Sequence, residues 1–189
     1  MADIDHWLSS SNERRARFEA IAAEIFEPLQ RYIRRRIEPN DAEDVFADVL
    51  LTVWRRLDDA PEGQILPWSY GVARRTLANR RRARSRHLRL LRRLELEPHD
   101  RFVPPPTESG LDPELAEALG SLSPDDREVL RLWAWEQLEP REIGPVLGIT
   151  VNAATLRLSR ARTRLGRLLS GQDRGLAGHE PLEGTQESR

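Results

Sequence analysis

Cysteine does not occur in this sequence, and neither does lysine: all 30 basic residues are arginine. Without cysteine there is no disulfide framework, no thiolate metal site and no cysteine nucleophile. Long apolar runs are missing too. No stretch reaches the roughly 18 residues that a membrane-spanning helix needs, so membrane insertion is not expected. The opening MADIDHWLSSSNERRARF lacks the apolar core of a signal peptide, which makes a cytoplasmic location the expectation. The four histidines, His6, His87, His99 and His179, are scattered, with no nucleophile–base constellation or glycine-rich phosphate loop beside them. No enzyme, metal site or cofactor is expected. A GC-rich genome alone would replace lysine with arginine. Even so, the planar guanidinium fork suits phosphates and base edges better than an ammonium does.

What is present is charge, and it is sorted. The 189 residues hold 30 basic and 31 acidic side chains, a net charge of −1. Ten of the arginines fall in RRTLANRRRARSRHLRLLRR (74–93), which contains no acid. The remaining chain carries 20 basic against 31 acidic residues, a net charge of −11. Such sorting points to a polyanionic partner for the basic part. A hydrophobic content of 39% with 32% charged residues fits two small helical units better than one large core.

Helical periodicity dominates the chain, and strand signals are absent. Phe18, Ile21, Ala22, Ile25, Phe26, Leu29, Tyr32 and Ile33 recur at helical spacing, with Pro28 expected to kink or interrupt the helix. In EPNDAEDVFADVLLTVWRRLDD, Asn40 is expected to cap a second helix, with Glu43 reaching back to it. Val45, Phe46, Val49, Leu50, Val53, Trp54 and Leu57 form its apolar stripe, and Asp41, Asp44 and Asp48 an acidic strip opposite. After the break APEGQILPW, a third helix starts near Trp68 and runs into the arginine stretch. ELEPHDRFVPPPTESGLDP has three consecutive prolines and no periodicity, which marks a linker. Leu115, Leu119 and Leu122 predict a further helix. Ser123-Pro124-Asp125-Asp126 is a strong helix start, followed by apolar Val129, Leu130, Leu132 and Trp133. The polar last 20 or so residues are expected to be disordered.

The segment LEPREIGPVLGITVNAATLRLSRARTRLGRLL (138–169) reads as helix, tight turn, helix. Ile143, Val146 and Leu147 face inward from the first helix, although Glu139 is a poor cap and Pro145 should bend it. Gly148 permits the turn, and Ile149 and Val151 are expected to pack into the junction. Ala154, Leu158, Ala161, Leu165 and Leu168 form the inner side of the second helix, and Arg157, Arg160, Arg162, Arg164 and Arg167 its exposed side. A helix-turn-helix places such a helix in the major groove, early residues on base edges and later arginines on phosphates. A helical hairpin with a solvated basic face would show the same pattern.

Taken together, DAEDVFADVLLTVWRRLD, PWSYGVARRTLANRRRARSR and the LSRARTRL ending resemble regions 2.2, 2.3–2.4 and 4.2 of a bacterial RNA polymerase sigma factor. The resemblance is to the extracytoplasmic-function (ECF) group of the sigma-70 family, because regions 1.1 and 3 have no counterpart. It implies an all-α protein of two small helical domains joined by a flexible linker. Region 2 would span 13–94, the linker 95–111, region 4 112–170 and a tail 171–189. The implied partners are core RNA polymerase (the β′ clamp helices and the β subunit), promoter DNA and an anti-sigma factor. Asp41, Asp44, Asp48, Arg55 and Arg56 would then face polymerase. Gln64, Ile65, Trp68, Tyr70, Arg74, Arg75, Asn79 and Arg80 would recognise and open the minus-ten element, its flipped bases stacking on the aromatic surfaces. Asn152, Ala153, Thr155, Leu156, Arg157, Ser159 and Arg160 would read the minus-thirty-five element. Arg75 stands where many relatives have Asn, and the residues at 152–156 also depart from the usual set. The alternative from another class is a stand-alone helix-turn-helix regulator; binding of the arginine stretch to anionic lipid is a further one.

Overall fold

A computed structural model describes residues 2–93 and 111–171, which form seven α-helices and, within those residues, no strand. Helix α1 is Ala2–Arg34, α2 Pro39–Arg55 and α3 Ile65–Arg93, with a single 3-10 turn at Leu57–Asp59. The second half contributes α4 (Pro113–Gly120), α5 (Pro124–Ala134), α6 (Pro140–Leu147) and α7 (Val151–Leu169). The linker and the polar tail expected from the sequence lie outside the described residues, except for the ends of those segments.

Each amphipathic stripe becomes a buried face. Ile21, Ile25, Leu29 and Ile33 of α1 meet Val45, Val49 and Val53 of α2, and Leu77 of α3 closes that bundle. Full burial of one such side chain contributes about 1.5–3 kcal/mol. Phe26 departs from the stripe: it is 45% exposed and packs edge-on against Phe46. Helix α1 continues through Pro28 without interruption. One missing donor is tolerated there because Ile25, Leu29 and Ile33 anchor the helix on both sides. Asn40 does not cap α2. The helix begins one residue earlier, at Pro39, whose fixed φ suits the first turn, and Glu38 caps it without a side-chain hydrogen bond.

In the second half, Asp112 accepts from the amides of Glu114 and Leu115, and Ser123 accepts from that of Asp126. Helix α6 starts after Glu139, whose N–H donates to Glu142 Oε2 at 2.8 Å, and it continues through Pro145. Gly148 adopts φ 71° and ends it. The amides of Gly148 and Ile149 both return to the Gly144 carbonyl, which satisfies the helix end and starts the turn. Thr150 then caps α7, its hydroxyl accepting from the Ala153 amide at 3.2 Å.

The two halves are not separate bodies joined only by a linker. Helix α6 packs on α3, and the buried residues of both halves form one continuous cluster. Tyr32 and Tyr70 sit at this seam, fully or almost fully buried, with ring centroids 4.8 Å apart. Gly71 keeps the approach close: a Cβ there would stand 3.7 Å from the Val146 Cα.

Candidate nucleic-acid interface

Helix α7 presents two faces. Ala154, Leu158 and Ala161 are buried against α5 and α6, and Leu165 and Leu168 are half-buried beside them. Opposite lie Asn152, Ala153, Thr155, Leu156, Ser159 and Arg160, all exposed and all near the helix N-terminus. Thr155 Oγ1 donates to the Val151 carbonyl at 2.9 Å, leaving its lone pairs and methyl outward. Arg157 is half-buried and bonds to Asp125 Oδ2 at 3.2 Å, so α5 holds it at the edge of the presented face. Val151 is 47% exposed and does not pack into the junction, because it is the first residue beyond the Thr150 cap. Farther along, Arg162 lies with its guanidinium carbon 4.7 Å from the ring centre of Trp133. A helix with small and polar residues first and arginines later matches the order needed for bases first and phosphates flanking.

The second basic surface is α3. Gln64 is exposed just before the helix, and Ile65 and Trp68 are half-buried against the core. Trp68 lies 6.0 Å from the Arg56 guanidinium carbon. Burial, together with the like charges of Arg56 and Arg74, lowers the Arg75 guanidinium from its ordinary value. Three guanidinium groups thus crowd one region, an arrangement an anion would relieve. Residues 81–87, four of them arginine, are exposed without exception.

Two expectations for this surface are corrected. Tyr70 is only 2% exposed and cannot stack on an extruded base, because it packs against Tyr32 in the seam. Burial raises its phenol above the ordinary range. Arg80 is half-buried, with its side chain 33% exposed and turned to the acidic strip of α2. Its guanidinium reaches Asp41 at 2.8 Å, Asp44 at 3.6 Å and Asp48 at 4.0 Å. The acidic strip of α2 and a cation of α3, assigned from the sequence to different partners, therefore face each other. Three carboxylates one helical turn apart form a natural seat for one guanidinium. Arg55 and Arg56 are exposed at the end of α2, Arg56 bonded to Asp59 Oδ2 at 2.9 Å. Asn79 is exposed and accepts from Arg82 at 2.7 Å.

Periodicity did not indicate the polar cluster at the seam. Arg35 and Arg36, in the turn after α1, bond to Glu136 beyond the end of α5, and Arg36 also bonds to Glu128. Tyr32 donates its hydroxyl to Glu128 Oε1 at 3.2 Å. Burial raises the Tyr32 phenol far above its ordinary value, so it stays a donor. Charges near helix ends look solvent-facing in a sequence, which is why no local signal singled these out.

A family model described as Sigma-70 region 2 matches residues 25–87, and one described as Sigma-70, region 4 matches residues 113–165. Among solved structures, CnrH in complex with the cytosolic domain of CnrY is similar over 82% of this chain and 88% of that one. Identity is 26% and the TM-score 0.54. The sigma factor RpoE from Bartonella quintana, in complex with the anti-sigma factor NepR, is similar over 86% of this chain and 97% of that one. There the identity is 23% and the TM-score 0.53.

Proposed function

The chain belongs to the sigma-70 family, acting in transcription initiation, and from that premise we propose how its surfaces divide the work. Helices α1–α3 make a region 2 unit and α4–α7 a region 4 unit, of the ECF type. The exposed early face of α7, Asn152 to Arg160, reads the minus-thirty-five element, and this face is the observation that carries the reading. Asn152 and Thr155 offer hydrogen bonds, Ala153 and Leu156 apolar contact to thymine methyls, and Arg157 and Arg160 a bidentate fork for guanine or phosphate. Gln64, Ile65, Trp68, Arg74, Arg75 and Asn79 meet the opened minus-ten strand. Trp68 supplies the stacking surface, and the crowded cations near Arg75 meet the backbone.

The α2 strip of Asp41, Asp44 and Asp48, with Arg55 and Arg56, docks on the β′ clamp helices of core RNA polymerase, and the β subunit supplies further contact. Since Arg80 occupies the strip, polymerase binding displaces it towards DNA. The protein supplies binding and strand separation, and the polymerase supplies the chemistry. Its place of action is the cytoplasm, where polymerase and promoter are; among the described residues, no helix is long and apolar enough to cross a membrane. RpoE occurs with the anti-sigma factor NepR, and this supports an inhibitory protein partner here too.

Run-off transcription with core polymerase tests the reading. The chain should direct initiation from a linear two-element promoter, and Asp44→Arg with Asp48→Arg should abolish the effect while leaving binding of α7 to the upstream element. A chain that binds duplex DNA but never stimulates core polymerase would instead be a stand-alone regulator.

A further inference from the structure

Helix α1 carries its inward face beyond the apolar stripe. Arg14 and Phe18 continue the line of Ile21 and Ile25 at helical spacing, and both are half-buried. They rest on the far end of α2. The Phe18 ring meets that of Trp54 edge-on with centroids 5.2 Å apart, and the Arg14 guanidinium carbon lies 5.3 Å from the centre of the Trp54 ring. One Arg14 nitrogen donates to the Trp54 carbonyl at 3.0 Å and the other to Asp58. Trp54 lies in the last turn of α2, where carbonyls lack an intrahelical donor and carry the negative end of the helix dipole. A guanidinium there caps the helix. Asp58 lies in the 3-10 turn that follows. One side chain of α1 therefore ties the end of α2 to the next turn.

That turn leads directly into the surface proposed for the opened strand. Asp59 accepts from Arg56 at 2.9 Å, and the Arg56 guanidinium carbon lies 6.0 Å from the ring centre of Trp68. Beyond Asp59, only residues 60–63 precede Gln64. They turn tightly: Gly63 has φ 69°, and the Gln64 amide donates to the Pro61 carbonyl at 3.3 Å. Leu57 and Ala60 are buried and fix one side of the 3-10 turn, while Arg14 holds the other through Asp58. A connection this short passes any shift of the turn on to Gln64 and Trp68. We infer that Arg14 is a positioning residue for minus-ten recognition, one that sets Gln64 and Trp68 in place before the strand arrives. This role rests on the reading that those two residues meet the opened strand. Arg14 and Phe18 precede residue 25, where the match to region 2 begins, so the role is not carried by that match. Presetting a loop removes part of the ordering cost of binding. A loosened loop instead reduces apparent affinity by the fraction of molecules in which it is correctly placed. Asp58 is 70% exposed, and an ion pair so exposed adds little to stability. Its consequence is geometric, at the loop.

Forked promoter DNA with a single-stranded minus-ten segment, titrated by fluorescence anisotropy against the full chain on core polymerase, is the test. Arg14→Ala should weaken fork binding about threefold to tenfold, the loss expected for hydrogen bonds of this kind. Helical circular dichroism, polymerase affinity and binding of the upstream-element duplex should not change. Unaltered fork affinity would overturn the inference. Two further readouts separate positioning from direct contact. Removing a phosphate contact would reduce the slope of log affinity against log salt by about 1. Here the slope should stay at the wild-type value, and a reduced slope would make Arg14 a DNA contact instead. In a Gln64→Ala background, Arg14→Ala should cost less than about twofold, because both changes act through one loop. Full multiplication of the two losses would also overturn the positioning role. If Arg14→Ala loses its helical signal, Asp58→Ala, at the exposed partner, decides by the same three readouts. A wild-type chain that fails to bind the fork with polymerase would defeat the sigma-factor reading, and positioning with it. Equal binding by wild type and variant would defeat positioning alone.

Discussion

Residues that the sequence presents as equivalent do different things. The chain has two tyrosines, Tyr32 and Tyr70, and both are buried with their phenols raised above the ordinary value. Burial disfavours the charged phenolate, so the folded chain keeps both protons while an unfolded chain loses them near pH 10. Above about pH 10 the unfolded state binds fewer protons than the native one, and stability falls as pH rises. With no lysine or cysteine, little else on the side chains titrates there. Absorbance of tyrosinate should therefore appear only together with unfolding, and Tyr70→Phe should reduce the alkaline fall in melting temperature. Arg157 is the second case. Its pair with the 59%-exposed Asp125 contributes at most about 1 kcal/mol to stability. Arg157→Ala should leave the melting temperature nearly unchanged yet weaken binding to upstream-element DNA by about 1–3 kcal/mol, measured by fluorescence anisotropy.

At the scale of elements, the helix-turn-helix depends on backbone geometry at its turn. Gly148 sits at φ 71°, where an L side chain is strained, and a Cβ there would meet no atom within 4 Å. Gly148→Ala should cost about 1–2 kcal/mol by denaturant unfolding, wholly from the left-handed backbone. Gly166, inside α7, also has open space but no positive φ, so Gly166→Ala should stabilise by about 0.5–1 kcal/mol. The same substitution has opposite signs in two adjoining elements, and dihedral angle alone separates them. The turn was legible because glycine there has a backbone reason. The start of α2 was misjudged because Asn40 looks like a cap, whereas Pro39 had already set the first turn. The continuity of α1 through Pro28 was not legible, since burial on either side decides it.

For the molecule as a whole, one hydrophobic cluster and one buried ion-pair cluster connect the units. The described chain should melt in a single transition. Glu136→Gln leaves Arg36 without its closest carboxylate, a change that costs about 3–5 kcal/mol when one partner of a buried pair is removed. That loss falls on coupling between the units more than on either core. Calorimetry should accordingly show the transition splitting into two, with region 4 melting first because its helices are shorter.

The sequence by itself determined the helices, their buried faces, the helix-turn-helix and the family, because periodicity, caps and turn residues are local and repeat within a few positions. It also indicated that Arg160, Arg162, Arg164 and Arg167 of α7 stand outward, since the apolar side of that helix is unambiguous, whereas Arg157 is half-buried against Asp125. Only the tertiary structure decided the partners of Arg80, the burial of Tyr70 and the seam of Arg35, Arg36, Glu128 and Glu136. These depend on contacts about 39 to 101 positions apart in the chain. A charged residue carries the same local signature whether it meets water, DNA or a carboxylate folded back upon it, and only packing distinguishes the three.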